Sequence, residues 1–596
     1  MRGGFGSRLR NDNQEDIKLR EIDKATIKLL LKYLKPNSKR LIFALFAMVI
    51  VTASSLAGPY LIKLAVDDYI LQKDFSGLNI ILLLMMMTYG VFWASSFFQT
   101  YLSSYVGEKV VASIREDLYK HIQNMSIEFY KKRLTGDIMA RLTHDVNSLS
   151  ELVSSGFIHF FNDLLTLLGI MGIMIFLNLK LALISFSLIP IIFFAIFLLG
   201  KKMRYAYRDV REKLANLNAD VEENLSGIRL IQAVNREAVN NKNFKRLSWE
   251  NFKANLKAVS YFALLFPAMN ISKVLGEALI LIFGGYAVIN GQISLGVLMA
   301  FMEYIRRFFS PLADMSQIYN TYQSAAAGLD RINEYLKLKP SVKESENPKN
   351  IGKDLKGIIE FKDVEFAYEE ESILKNISLK IDKNESFAVV GSTGAGKTTF
   401  VNLLTRLYDV KKGSIKIDDI DLRDISFKSL RKAISVVPQN VFLFDTSIKE
   451  NIRYGNPRAS DKEVKEAAVK IKAHDFIKNL PDGYDTRVGE GGSRLSGGQK
   501  QLISFARALI SNPKILILDE ATSSVDAYTE ILIQEALDVL LESRTSVMIA
   551  HRFTTLKKAN RIAVFEKGEI KGLGNHEELM ENNELYRDLY LKQNGI

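Results

Sequence analysis

The stretch Gly391-Ser392-Thr393-Gly394-Ala395-Gly396-Lys397-Thr398-Thr399 fits G-x-x-x-x-G-K-[ST] at every fixed position. Glycines at that spacing let a backbone fold round phosphates, and the loop amides then donate to them. Lys397 is set to reach the β- and γ-phosphates of a nucleotide, and Thr398 to bind Mg²⁺. A second pair of chemical groups is Asp519-Glu520, at the end of "KILILDE". A carboxylate at Asp519 can hold Mg²⁺ through water. Glu520 is placed to polarise an attacking water, a role worth roughly 10²–10⁴-fold in rate. A third feature is "RLSGGQKQ", where Ser496-Gly497-Gly498-Gln499 forms a turn of small residues opening a helix. Amides at a helix start also suit a phosphate, yet this turn lacks a lysine. The chain thus carries two anion-binding turns, and only one has its own cation.

These groups need a strand, a loop and a helix to position them. "SFAVV" precedes the glycine loop as an apolar strand, and "KILIL" is apolar at successive positions, as a strand buried on both faces must be. "GIIEFKDVEFAY" and "ILKNISLKI" alternate like half-buried strands. Residues 338–357 are polar, with Pro, Asn and Gly, and read as a linker. The organisation expected is therefore a membrane domain over 1–337, the linker, and an α/β P-loop domain over 358–596. With 596 residues, two or more domains are expected.

The first half is of another character. Six segments are apolar enough to cross a bilayer of about 30 Å, which takes about 20 helical residues. They lie near 41–66, 78–106, 156–177, 180–200, 261–289 and 294–316. The first, third and fifth connections are short, whereas 107–155 and 201–260 are long, basic and helical in pattern. Basic loops stay in the cytoplasm, which places both termini there. "ATIKLLLKYLK" reads as an amphipathic helix along the membrane surface. The fold class expected is membrane α-helical, with six transmembrane helices and long cytoplasmic extensions, followed by the P-loop domain. The formal charge of +12 fits this better than nucleic-acid binding. Lys and Arg gather beside the apolar runs and form no stripe with interleaved aromatics. No signal peptide is read ahead of the first apolar run, where the residues before Asp23 are polar and charged. The absence of cysteine excludes disulfides and thiolate metal sites.

Charges inside the spans allow two readings, an ion pair or contact with a transported substrate. Lys273 and Glu277 stand four apart on one helical face, and Glu303, Arg306 and Arg307 share the sixth span. Met85-Met86-Met87 with Phe92, Trp93, Phe97 and Phe98 read either as a greasy pocket or as lipid contact and packing. His144 and His159 have no second ligand at metal spacing.

The second half resembles the ATPase domain of the ATP-binding cassette (ABC) transporters, and the motifs match one after another. Tyr368 matches the aromatic residue that stacks on adenine. Gln439 in "VVPQNVFLF" matches the glutamine that touches metal and attacking water. "LSGGQ" matches the family signature, Ser524-Val525-Asp526 its D-loop, and His551 in "IAHRF" the switch histidine at the γ-phosphate. Two positions depart from the family's frequent pattern. Glu490-Gly491-Gly492 stands where Glu-Arg-Gly is frequent, and Gln501-Leu502 where Gln-Arg is.

With six spans ahead of one cassette, the whole chain resembles a half-size exporter of the bacterial multidrug and lipid-exporter type. "FYKKRLTGDIMARLTHDV" and "SGIRLIQAVNRE" resemble its two coupling-loop regions. The resemblance implies ATP and Mg²⁺ as cofactors, with Thr398, Gln439 and Asp519 at the metal and Glu520, His551 and Gln439 in catalysis. It also explains the second anion turn. Two cassettes pair head to tail, so Ser496 and Gly498 would serve the partner's nucleotide. Glu520 and the signature are both intact, which favours a homodimer over a heterodimer with another half-transporter. The function implied is ATP-driven export of a hydrophobic or amphipathic drug or lipid across the cytoplasmic membrane, with membrane lipid as surroundings and no nucleic-acid partner. A peptide exporter, or a nucleotide-gated channel or regulator on the same scaffold, are the alternatives.

Overall fold

The structure, a computed structural model, describes residues 24–352, 355–519, 527–549 and 556–593. The chain forms two compact units. One comprises Met1–Gln123 with Leu134–Leu338, and the other comprises Asn124–Arg133 with Lys339–Ile596.

The first unit is helical. Its main helices are α1 (Lys24–Leu34), α2 (Ser38–Leu64), α3 (Phe75–Gln123), α4 (Phe157–Leu177), α5 (Ile189–Ser226), α6 (Glu237–Ala263), α7 (Leu265–Leu279) and α8 (Leu295–Lys337). With 49 residues, α3 spans over 70 Å at about 1.5 Å per residue, more than twice the hydrocarbon thickness. Such helices run past any bilayer, in line with the extensions expected from the sequence. Among the described residues, four stretches are long and apolar enough to cross: Leu30–Ile70, Phe75–Gln123, Thr135–Leu177 and Asn270–Ile289. The expected segments 180–200 and 294–316 are not among these four stretches and carry charge beside or within their apolar runs. The apolar start of α5 meets Lys201 and Lys202, and α8 carries Glu303, Arg306 and Arg307.

Proline organises the contact between α2 and α8. Pro59 lies inside α2 and has no N–H, so the carbonyl of Ser55 loses its helical donor. Arg307 Nη1 donates to that carbonyl at 2.7 Å, and its Nε donates to Glu303 at 3.1 Å. One position on, Tyr304 Oη donates to the carbonyl of Leu56 at 2.7 Å. The start of α8 is capped by Asp67, which accepts from Gly296 N at 2.7 Å and from the Ser294 hydroxyl. A Cβ at Gly296 would lie 2.5 Å from the Lys63 carbonyl, so only glycine allows this approach.

The span charges pair, though not as the spacing predicts. Glu277 accepts from Arg306 Nε of the neighbouring helix at 2.9 Å, which corrects the pairing of Glu277 with Lys273. Arg306 can reach across from α8, and its side chain is long enough to do so without leaving its own helix. Further along, Asp145 is 1% exposed and is held by Arg331 of α8 at 2.5 and 2.9 Å and by Arg141 at 3.1 Å.

The second unit is built on two sheets, with strands β1 (Ile359–Ala367), β2 (Ser372–Ile381), β3 (Ser386–Gly391), β4 (Lys412–Ile417), β5 (Ile420–Asp421), β6 (Ile434–Val437), β7 (Ile515–Asp519), β8 (Thr545–Ile549), β9 (Arg561–Glu566) and β10 (Glu569–Gly574). An antiparallel sheet has the order β2-β1-β4-β5. The larger sheet runs β10-β9-β3-β8-β7-β6, and all its pairings except β10 with β9 are parallel. Strand alternation feeds a core on each face. From β7, Ile515 and Ile517 join Phe361 and Phe400, whereas Leu516 and Leu518 join Leu502 and Phe505.

Removing Arg331 leaves Asp145 buried with one partner fewer. Arg331→Ala is expected to cost about 3–5 kcal/mol, while Asp145→Asn with Arg331→Met costs much less. Thermal unfolding midpoints in detergent check this, and equal midpoints for the two variants would contradict it.

Candidate nucleotide site

The glycine loop leaves the C-terminal end of β3 and enters helix α9 (Lys397–Leu404). Close packing requires glycine at two of its positions. A Cβ at Gly391 would meet the Phe565 carbonyl at 2.3 Å. At Gly396 φ is +103°, and a Cβ there would meet Leu374 at 2.7 Å. Lys397 is 7% exposed, and its Nζ donates to the carbonyls of Gly391 at 2.7 Å and Ser392 at 2.9 Å. The cation is thus folded against the start of its own loop, with Ala395 buried beneath and Ser392, Thr393 and Thr398 on the exposed or half-buried side.

Parallel register gathers the other polar groups at the same sheet edge. Ile549 of β8 pairs with Val389 of β3 on one side and with Asp519 of β7 on the other. Asp519 therefore lies level with the root of the glycine loop, about two strand spacings or roughly 10 Å away. Val437 of β6 pairs with Leu518, so the loop bearing Gln439 leaves the sheet beside Asp519. Glu520, Ser524-Val525-Asp526 and His551 lie outside the described residues.

Tyr368 follows β1, and its ring packs edge-on against Phe366 and Tyr408 at centroid distances of 5.0 and 5.1 Å. Its hydroxyl lies 3.2 Å from that of Thr399, a contact the motif did not announce. The aromatic and the phosphate loop are thereby joined through the first turn of α9. A ring 37% exposed keeps a surface on which a base can stack.

The signature turn opens helix α10 (Gly497–Ile510), with Ser496 as N-cap. Gln499 N donates to Ser496 Oγ at 3.3 Å, and Ser496 N donates to Gln499 Oε1 at 3.0 Å. This capping box uses the Ser496 oxygen as acceptor and leaves its O–H available as donor. Nothing crowds a side of Gly497, and Gly498 is buried. The helix is anchored by Arg507, which donates to the Asn451 carbonyl and side chain at 2.9 Å each and to the Phe442 carbonyl at 3.1 Å. Burial pushes the Arg507 guanidinium below its usual range.

Both departures from the family pattern have local explanations. Leu502 is 1% exposed and belongs to the core beneath α10, where a guanidinium would lose its water. Gly491 has φ +58°, a left-handed turn that suits glycine.

The fold and edge geometry define a membrane protein carrying a nucleotide-binding ATPase unit. The family description "ABC transporter transmembrane region" matches residues 41–312, and "ABC transporter" matches residues 374–523. An ATP-dependent lipid A-core flippase of Syntrophus aciditrophicus is 38% identical over 566 residues, covering 95% of this chain and 94% of that protein. A putative multidrug export ATP-binding/permease protein, YgaD of Bacillus subtilis, is 34% identical over 577 residues, covering 95% and 99%. The structure of a bacterial Atm1-family ABC exporter with ATP bound matches with TM-score 0.76 and 25% identity, covering 93% of this chain and 98% of that one. The chain belongs to the ABC transporters, as a half-size exporter with one membrane region and one ATPase. It is an ATP-hydrolysing transporter.

Lys397→Ala removes the loop's cation and is expected to raise the Kd for ATP at least tenfold by fluorescent-nucleotide titration, since a hydrogen bond to a charged group contributes about 1.5–3 kcal/mol. Tyr368→Ala should raise the ATP requirement clearly, while Tyr368→Phe, which keeps the ring and loses the Thr399 contact, should raise it slightly. An unchanged affinity in Tyr368→Ala would move adenine recognition to another residue.

Proposed function

We propose that this protein exports a hydrophobic or amphipathic compound, a drug or a lipid, across the cytoplasmic membrane as a homodimer, with six spans per copy and both termini in the cytoplasm. The observation that carries the substrate class is a cavity of about 220 Å³ in the first unit, lined by Ser54, Gly58, Met85, Tyr89, Phe92 and Arg307 among others. Its lining combines a thioether and aromatic rings with a guanidinium and hydroxyls. Drug-sized sites measure about 300–1,000 Å³, so this cavity holds one part of a ligand, such as a ring or headgroup. Met85 and Phe92 line this cavity, which supports the pocket reading for them, while Met86, Trp93 and Phe97 stay more than half exposed.

In this reading each ATP is bound between two copies. Lys397, Thr398 and the loop amides hold its phosphates from one side. Ser496, Gly498 and the positive end of α10 meet the γ-phosphate of the partner's nucleotide. Glu520 polarises the attacking water, and His551 touches the γ-phosphate. Mg²⁺ suits the groups available, because the Thr398 hydroxyl, the Asp519 carboxylate and the Gln439 amide oxygen are the oxygen ligands it takes, and the last two share the sheet edge. When bound, the ion neutralises phosphate charge. Closing of the cassettes on ATP turns the substrate cavity outward, and hydrolysis lets them part.

Two experiments test this. In proteoliposomes, a transported compound or lipid should stimulate ATP hydrolysis without ion conductance; conductance gated by nucleotide would replace the exporter with a channel. Glu520→Gln should bind ATP normally and hydrolyse about 10²–10⁴-fold more slowly, accumulating an ATP-occluded form. Near-parental turnover would remove Glu520 from its role.

A further inference from the structure

The helix Ile127–Lys132 sits in the second unit, although the chain up to Gln123 and from Leu134 belongs to the first. Several contacts seat it. Phe129 is buried, Ile127 packs against the core that contains Phe400 and Tyr408, and Val342 N donates to Ser126 Oγ at 3.0 Å. At its end, two successive lysines meet two successive residues of the loop after β1. Lys131 Nζ stands 4.9 Å from the Tyr368 ring centroid and 5.4 Å from that of Tyr408. Lys132 Nζ stands 3.7 Å from Glu369 and 2.8 Å from Glu128. The two cations thus divide their work, because the carboxylates take Lys132 and the rings take Lys131.

We propose that Lys131 is a positioning residue for the nucleotide base: its ammonium, held over Tyr368 and Tyr408, fixes the aromatic platform and links base binding to the seating of residues 124–133. This rests on the reading that Tyr368 stacks on adenine. The physical basis is the attraction of a cation to the negative face of an aromatic ring. Tyr368 is also held by edge contacts and, at its hydroxyl, by Thr399 and the Asn402 amide at 3.5 Å, so the ammonium supplies a restraint normal to the ring that those do not. A platform fixed in advance binds a base at lower ordering cost. Linkage makes the effect mutual, so a base that favours the seated ring also favours the seated helix. The helix is covalently continuous at both ends with the first unit's chain. Base occupancy therefore has a path into that chain that does not pass through the γ-phosphate.

The test uses the full chain in lipid nanodiscs, with ATPase kinetics of Lys131→Met, Lys131→Arg, Tyr368→Leu and the Lys131→Met, Tyr368→Leu double variant. Lys131→Met keeps the length and removes the charge. It should raise KM for ATP about two- to five-fold, the size of an exposed cation–aromatic contact, with kcat unchanged. Lys131→Arg should restore KM. In the Tyr368→Leu background, Lys131→Met should add nothing. Inhibition by inorganic tripolyphosphate, which has no base, should be the same in Lys131→Met and parent. A parental KM in Lys131→Met, with a raised KM in Tyr368→Leu, overturns the role of Lys131 and leaves the platform standing. A parental KM in Tyr368→Leu removes the platform itself. A Lys131→Met defect that persists in the Tyr368→Leu background, or that weakens tripolyphosphate equally, means general loosening and overturns the proposal.

Discussion

Parallel pairing of strands buried on both faces governs the second unit. The inner stretches of β7 and β8, Ile515–Leu518 and Val547–Ile549, are apolar and buried, so groups that can act on a ligand collect where the strands end. β3, β8, β7 and β6 run the same way, and their register sets Val389, Ile549 and Asp519 level with one another. The glycine loop, Asp519 and the Gln439 loop therefore leave from one edge. That edge brings together the glycine loop, the buried Lys397 and the first turn of α9, a geometry suited to a phosphate chain. The tight approaches at Gly391 and Gly396 then keep the loop in one shape.

The membrane unit obeys the complementary rule. Where the surroundings are apolar, every freed polar group needs a partner within the protein. Pro59 frees the Ser55 carbonyl, and Arg307 takes it. Asp67 caps α8, and Arg306 takes Glu277. The result is that α8 is fastened to α2 by named hydrogen bonds at the place where the cavity lies.

Much of this was legible in advance. The glycine loop, the buried run before Asp519 and the signature turn are local patterns with local physical meaning, so their elements could be read from spacing. The two-unit character followed from the contrast between long apolar runs and short alternating ones. Other features were hidden because they are made by partners far apart in sequence. Pairing of Glu277 with Arg306 rather than Lys273 depends on how two helices rotate against each other, which spacing does not record. The link from Tyr368 to Thr399 needs the fold of β1 onto α9. Membership of residues 124–133 in the second unit rests on contacts such as Ile127 with the core around Phe400 and Ser126 with Val342, between residues far apart in sequence. One signal was available and passed over: a proline four residues after Ser55 announces an unpaired carbonyl, and an arginine in an apolar span is a natural donor for it.

In the proposed dimer the ATP site is shared between two copies, one contributing the glycine loop with Lys397 and the other the turn at Ser496. Co-expression of two inactive variants tests it most directly. One copy carries Lys397→Ala and the other Ser496→Arg, each under a different tag, and doubly purified dimers are assayed for ATP occlusion. Each variant alone has no intact site. A mixed dimer has one site broken twice and one site intact, built from Lys397 of the second copy and Ser496 of the first. Occlusion should therefore return in the mixed dimer. Dimers that co-purify and still fail to occlude ATP would contradict the shared site.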